Sequence, residues 1–406
     1  MAAPMPEPSS FRVRSLSTSV YLPTFLFAVG QGATLPILPL LALSLGASVP
    51  AAGAIVALRG IGTFMFDVPA GLIVARLGER KGMAIGTVIL AVVGVGIAMR
   101  PSLPLYAVLV GIMGWGWALW LLSRMSYATE ISPPEFRGRV MSMLGGVNRV
   151  GNFVGPIIGG TAVAIYGLEA AFVTQAVVAL AALVALALFT AETPRRAEVT
   201  VRASLGRMRD SFTGRRRLLV SGGAVSIILQ LIRTSRDTLI PLWGGHIGVA
   251  ASGISFVFAA GSAIDMLLFY PVGQLMDRFG RKWAGVPAMA LMATALAVMT
   301  QASTLTGLVL AGVLFGFGNG FGAGLGMTLA SDLSPRVGRN EFLGGWRLVS
   351  DIGGITGPLT VAAVTSVASL AAACLAIGGI GFVGASVFLW IFPETMPMSE
   401  GPASDP

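Results

Sequence analysis

Charge is what this sequence has least of. Of 406 residues only 11% are charged, while 55% are hydrophobic. A water-facing domain carries about 25% charged residues. A chain this poor in charge cannot cover a polar surface, so its solvent is lipid. Cysteine and histidine are nearly absent too, at one each. The lone Cys374 excludes a disulfide framework and a thiolate metal site, and in its apolar run it reads as a small buried hydrophobe. With only His246, and no Ser/His/Asp or metal-ligating cluster, the chain does not read as an enzyme. It has no glycine-rich phosphate loop, so ATP is not its direct energy source and no cofactor is expected. Lysine occurs only as Lys81 and Lys282. The arginine bias fits a GC-rich bacterial coding sequence. Met1 to Ser19 is polar, and the apolar stretch that follows is too long for a cleavable signal peptide.

The formal charge of +9 would suggest nucleic acid in a soluble protein. Here the basic residues sit in short loops between apolar stretches, so they read as a topology signal and no nucleic-acid partner is expected. A helix needs about 20 apolar residues to cross roughly 30 Å of hydrocarbon. Such stretches lie near 18–45, 51–75, 83–100, 103–128, 139–166 and 169–191, then near 218–246, 250–275, 283–301, 305–331, 342–367 and 370–392. They are continuous rather than alternating, so they predict helices and not a barrel.

Arg76, Arg80 and Lys81 follow the second stretch, Arg137 and Arg139 the fourth. Arg278, Arg281 and Lys282 follow the eighth, Arg336 and Arg339 the tenth. Eight arginines between Arg195 and Arg217 fill the central loop, and the opposite loops hold little beyond Arg100. This asymmetry puts both termini and the central loop in the cytoplasm. The expected parts are a tail at 1–17, a six-helix bundle at 18–191, a basic linker at 192–217, a second bundle at 218–392 and a tail at 393–406.

An offset of 202 residues maps the first half on the second. Pro39-Leu40 matches Pro241-Leu242, and Pro69-Ala70-Gly71 matches Pro271-Val272-Gly273. Arg76 and Gly78 match Arg278 and Gly280; Gly114 and Gly116 match Gly316 and Gly318. Ser132-Pro133 matches Ser334-Pro335, and Gly151 and Gly155-Pro156 match Gly353 and Gly357-Pro358. One constant register across these blocks predicts parallel halves related by an axis along the membrane normal. The predicted fold is an all-α membrane protein with twelve transmembrane helices in two pseudo-symmetric six-helix bundles.

The run Gly273-Gln-Leu-Met-Asp277-Arg278-Phe-Gly280-Arg281-Lys282 resembles the loop signature of the major facilitator superfamily. Gly71-Leu-Ile-Val-Ala75-Arg76-Leu-Gly78-Glu79-Arg80-Lys81 is the first-half copy, with Ala75 where the family usually has Asp. The resemblance covers nearly the whole chain. Gly151-Asn-Phe-Val-Gly155-Pro156-Ile-Ile-Gly159-Gly160, in the fifth helix, is similar to the motif of the superfamily's drug/proton antiporters. Ser142 stands where that motif expects another glycine, and Val108 to Met113 lacks the arginine usual early in the fourth helix. The motif's glycines and proline are equally what a plain close-packed helix pair needs.

An ionisable residue inside a span is a functional candidate by default. Those present are Arg59, Asp67, Arg124, Arg149, Arg233, Arg236, Asp237, Asp265, Arg347 and Asp351. Arg233 and Asp237 are i, i+4 neighbours and can pair on one face. The resemblance implies that the second helix packs on the eleventh and the fifth on the eighth. Counting from the loops at ~1.5 Å per residue, Arg149 and Asp265 lie within about 3 Å of the same depth, and Asp67 and Arg347 match likewise. Each pair reads as a static lock or as a moving, proton-sensitive gate. In the resembled fold the first, fourth, seventh and tenth helices line a central cavity. The candidate substrate residues are therefore Gln31, Trp115, Arg124, Arg233, Arg236, Asp237 and Asn319. Candidates for coupling or gating are Asp67, Arg149, Asp265, Asp277, Arg278, Arg347 and Asp351. Gly151, Gly155, Pro156, Gly159 and Gly160 are the helix-packing motif.

These readings converge on a secondary transporter of a bacterial inner (plasma) membrane, working as a monomer by alternating access. A small-molecule substrate and protons are its expected partners, and the leading expectation is proton-coupled export of small lipophilic compounds or drugs. The alternative is a carrier of organic anions held by the cavity arginines. A membrane receptor or chaperone would need a large soluble domain, which the loops do not contain.

Overall fold

The computed structural model describes residues 16–192, 216–335 and 339–394. Most of the expected tails and of the arginine-rich linker, and Arg336, lie outside the described residues. Within these, the chain is helical, with no strand. A π-helical turn, Ser17–Tyr21, leads into α1 (Leu22–Thr34), followed by α2 (Leu38–Ser44), α3 (Val49–Leu77) and α4 (Glu79–Ala98). Then come α5 (Leu103–Ile131), α6 (Arg137–Tyr166), α7 (Ala170–Phe189) and α8 (Arg216–His246). The rest are α9 (Ala251–Phe279), α10 (Lys282–Met299), α11 (Leu305–Phe321), α12 (Leu325–Leu333), α13 (Arg339–Val367) and α14 (Leu370–Trp390).

Ten helical stretches among the described residues are long and apolar enough to cross a membrane, with α1–α2 and α11–α12 each counting as one. Helices α6 and α8 are as long but carry more charge, Arg137, Arg139 and Arg149 in one and Arg233, Arg236 and Asp237 in the other. Two expected continuous helices are broken. The first stops at Thr34 because Pro36 has no N–H to continue the ladder. The tenth stops at Phe321, where Gly324 takes a left-handed φ of 76°. Gly78 and Gly280 end α3 and α9 at φ of 87° and 100°, conformations that cost other residues a Cβ clash. They are 202 residues apart.

Helix neighbours repeat at the same offset. Helix α1 packs on α6 and α7, α3 on α5, and α4 on α5 and α7; α8 packs on α13 and α14, α9 on α11, and α10 on α11 and α14. Individual contacts follow. The Cα of Gly114 lies against the carbonyl of Arg59, and that of Gly316 against the carbonyl of Gly261. Gly155 abuts Val29 O and Gly357 abuts Leu231 O. Arg80 donates to Ala187 O at 2.9 Å, and Lys282 to Leu389 O at 2.8 Å. The first half of the sequence meets the second chiefly at α3 with α13 and α6 with α9, with smaller contacts of α2 and α3 on α8.

Candidate transport site

The α6–α9 crossing is closest where Gly160 meets Ser255: a Cβ on Gly160 would come 2.6 Å from that of Ser255. Eleven residues toward the start of α6, Arg149 Nη1 donates to Asp265 Oδ2. The Arg149 guanidinium also lies over Phe269, 4.7 Å from the ring centre. Asp265 Oδ1 is buried without a hydrogen-bond partner, so this carboxylate is only half satisfied. Beyond Phe269 the helices part, and a crevice of about 740 Å³ opens between Glu135, Arg139, Ser142, Gly146 and Phe269.

The α3–α13 crossing repeats this arrangement. Gly53 and Gly60 lie against Ala362 and Gly354. Further along, Arg347 Nη2 donates to Asp67 Oδ1 at 3.0 Å, and Arg347 Nε lies 3.7 Å from Asp351 Oδ2. Asp67 and Asp351 thus both lie on Arg347, and Asp351 Oδ2 is buried without a hydrogen-bond partner. Arg124 faces this cluster from α5; it is buried, reaches Asn148 Oδ1 at 3.4 Å, and leaves Nε without a partner.

Helix α8 carries Arg233, Arg236 and Asp237, and the pairing differs from the expected i, i+4 contact. Arg236 Nε, not Arg233, is the partner of Asp237, at 3.4 Å. The Arg236 guanidinium also lies 5.0 Å from the Phe258 ring centre and 5.7 Å from that of Phe315. Arg233 instead turns to the broken end of α11, donating to Gly322 O at 2.6 Å and Asn319 O at 3.4 Å. A helix C-terminus leaves carbonyls unpaired and carries a partial negative charge, so the break in α11 supplies acceptors to Arg233 Nη2, while its Nε is buried without a partner. Asn319 contributes its backbone carbonyl to this contact.

The aromatic candidates sort differently too. Trp115 is 41% exposed and stacks on Phe66, outside the cavity. Trp117 is the tryptophan that faces inward. It stacks with Phe27 and lines a small cavity of about 30 Å³ with Gln31, Arg59 and Gln175. Gln31 therefore does reach a cavity, but one walled by α1, α3, α4, α5 and α7.

In the loop signature, Asp277 is 81% exposed and touches Arg281 at 3.5 Å, and Arg278 is exposed over Phe279. The tighter partner of Arg281 is Asp332 at the end of α12, at 2.9 Å. Its hydrogen bond to Asp332 raises the Arg281 pKa above the ordinary arginine value. Glu394 accepts from the backbone N–H groups of Arg281 and Lys282, at 2.8 and 3.1 Å. Sequence reasoning passed over both acids. Each has a first-half counterpart at the 202 offset, Glu130 and Glu192, which was the available signal. In the α6 motif, Gly151, Gly155 and Gly159 form one face against Ala28, Val29, Gly32 and Ala33 of α1, with Pro156 on Gly32; Gly160 alone faces the second half.

Long apolar helices with ion pairs buried where the halves of the chain meet are the build of a membrane transporter and not of an enzyme. The family model described as Major Facilitator Superfamily matches residues 20–234 and 225–406, and the chain belongs to that superfamily of secondary transporters. It is 27% identical over 309 residues to the uncharacterized MFS-type transporter YddS of Bacillus subtilis (strain 168), covering 71% of this chain and 70% of that one. It is 25% identical over 257 residues, 61% of each chain, to the multidrug resistance protein MdtH of Aeromonas hydrophila. A triacylglyceride transporter of Mycolicibacterium smegmatis is 28% identical over 153 residues, 37% of this chain and 27% of that one. The chain thus spans less than two thirds of the last two relatives. Among solved structures, a peptide transporter POT in complex with sulfate superposes at a TM-score of 0.78 with 14% identity, covering 95% of this chain and 96% of that one. A D-xylose-proton symporter gives 0.74 with 19% identity, over 94% and 98%. These two likenesses concern the fold alone.

Proposed function

We propose that the protein is a proton-coupled exporter of small lipophilic organic compounds in a bacterial plasma membrane, with twelve spans in two six-helix bundles. It alternates between states by rocking the bundles about the α3–α13 and α6–α9 crossings. The observation that carries this reading is the matched pair of charge clusters at those crossings, Arg149–Asp265 and Asp67–Arg347–Asp351. Protonating Asp265 or Asp67 removes the charge that holds an arginine of the opposite bundle, Arg149 or Arg347. Proton binding then lowers the cost of separating the halves on that side. The α6 glycine motif and the relative named as a multidrug resistance protein support the drug-export side of the reading. The test is transport in proteoliposomes of a lipophilic dye under an imposed pH gradient. Exchange that follows the gradient, and is lost in Asp265→Asn and Asp351→Asn, supports the reading; transport indifferent to the gradient ends the coupling half of it.

A second reading, a carrier of organic anions, is favoured by one observation. Among the described residues Arg59, Arg124 and Arg233 have no carboxylate within ion-pair distance, so buried positive charge exceeds buried negative charge. A lipophilic cation would meet that excess unfavourably.

A further inference from the structure

We propose that the small cavity within the first half of the chain is a two-water site that hydrates Arg59, and that this hydration lets Arg59 lose the influence of Asp237 when the halves part. The cavity measures about 30 Å³. A water molecule needs roughly 10–15 Å³ of such space, so there is room for about two and for no organic ligand. Phe27, Met113 and Trp117 wall it, and Gln31, Arg59 and Gln175 bring polar groups to it. Buried water stays where it finds two to four polar partners, whereas cavities that stay dry are lined by apolar groups.

The polar groups select water over an ion. Gln175 is 4% exposed, and its Oε1 is buried without a partner. An amide turned over would place a donor there in its stead, which a water also satisfies. The Arg59 side chain makes no hydrogen bond or short ion pair with any described residue, and its guanidinium lies 5.8 Å from the Trp117 ring centre. Thr34 Oγ1 lines the cavity too, but it already donates to the carbonyls of Gly30 and Gln31 and can only accept. A water accepts from the guanidinium and donates to Gln175 Oε1 or Thr34 Oγ1 at the same time. An anion would set a second negative atom against that amide oxygen, and a cation would meet the arginine's own charge.

Asp237 gives this hydration its use. It lies on α8, in the other half, and acts on Arg59 electrostatically while its contact at 3.4 Å is with Arg236. Helices α3 and α8 touch. On α3, Arg59 follows Gly53, which sits tight against Ala362 of α13. The counter-charge of Arg59 thus comes from across the halves, near their tight end. When the halves part there, Asp237 moves off with α8, and a dry guanidinium would be left without compensation in low dielectric. The waters belong to the first half and travel with Arg59, so they lower that cost. The role given to the waters rests on the rocking of the bundles proposed above; the water site itself does not.

The experiments use the full chain in lipid nanodiscs. X-ray radiolysis of bound water oxidises the side chains beside it, and mass spectrometry locates the added oxygen. Met113, at the cavity and 4% exposed, should be oxidised several times faster than Met83, which is 3% exposed and does not line it. Equal rates would overturn the water site, and this arm needs no variant. Gln175→Leu should lower the melting temperature by about 2 °C or more, because a water loses its partner. In a dry cavity the same change removes a stranded amide, so a melting temperature unchanged or raised would overturn the proposal. So would a melting temperature raised by chloride over gluconate in the parent and not in Arg59→Gln, which would put an anion in the cavity. The waters and Asp237 support one guanidinium in turn. Gln175→Leu and Asp237→Asn together should therefore cost more than the sum of their separate shifts, and the excess should vanish in an Arg59→Gln background. Additive shifts would overturn the role given to the waters. Dye transport indifferent to the pH gradient would instead end the export reading and leave these results as they stand.

Discussion

Asp265 is the residue on which the two halves of the sequence meet most directly. One of its oxygens accepts from Arg149 and the other is buried without a partner. Removing Arg149 strands a carboxylate between α6 and α9, where it takes up a proton or lets water in. Arg149→Ala and Asp265→Asn should each slow gradient-driven transport by at least about tenfold. The exchanged variant Arg149→Asp/Asp265→Arg should recover part of that, with a coupling of about 0.5–3 kcal/mol in a double-mutant cycle on transport rate. No recovery and no coupling would reduce the contact to a bystander. This pair was legible in the sequence because helix rise is constant, so depth can be counted from the loops. The partner of Arg233 was not. Spacing of i, i+4 fixes which side of a helix two residues share, but a long arginine goes where acceptors are, and those came from a break in α11. Arg59 stood out as a buried charge, yet its cavity is assembled by five helices and no single stretch announces it.

Among the elements, α6 carries two different interfaces on one glycine motif. Gly151, Gly155 and Gly159 seat α1, while Gly160 meets Ser255 of α9. A Cβ on Gly155 would lie 2.8 Å from the Gly32 Cα, where backbone cannot yield. Gly155→Ala should therefore destabilise the fold, by about 1–3 kcal/mol, read as a lower melting temperature in detergent. Gly160→Leu acts across the halves, so transport should fall more than thermal stability does; parallel losses would assign it to packing alone. In the loop after α9 the structure shifts weight from Asp277 to Asp332. The former is 81% exposed and the latter 15%, and exposed ion pairs contribute little. Asp332→Asn should slow transport more than Asp277→Asn in correctly inserted protein. Equal effects would return the role to Asp277. Glycine and proline marked these crossings in the sequence because close approach and kinks demand those residues. Helix ends were less visible, since hydropathy reports the apolar middle of a helix and α3, α5 and α6 run past it.

For the molecule as a whole, orientation and conformational state are testable together. The 202-residue repeat was readable because duplicated helices must keep the same close contacts, and Gly155–Val29 with Gly357–Leu231 shows the two sets coinciding. The crossings are tight at Gly160–Ser255 and Gly53–Ala362, and α6 and α9 part at Ser142–Phe269. Lys81, at the start of α4, lies at the crevice end, and Ser102, beyond the end of α4, at the tight end. If basic loops stay inside, the crevice opens to the cytoplasm. Arg100 is the one basic residue against that pattern, and Glu169 neutralises it at 3.2 Å. The only native thiol, Cys374, is fully buried, so an introduced cysteine gives a clean signal with a membrane-impermeant maleimide. Lys81→Cys should label only from the cytoplasmic side, and Ser102→Cys only from the outside. Labelling of Lys81→Cys from outside would invert the orientation. Ser142→Cys, exposed in the crevice, then reports the state. It should react readily from the cytoplasmic side at rest. When a transported compound and a pH gradient drive the cycle, the halves close there for part of each turnover, and its reaction should slow. Ser255→Cys, fully buried against Gly160, should become reactive from the outside under the same conditions. Opposite changes at these two positions are what rocking about the crossings requires, because opening one end of a rigid pair of bundles closes the other. Both positions rising together would mean that the bundles loosen without alternating.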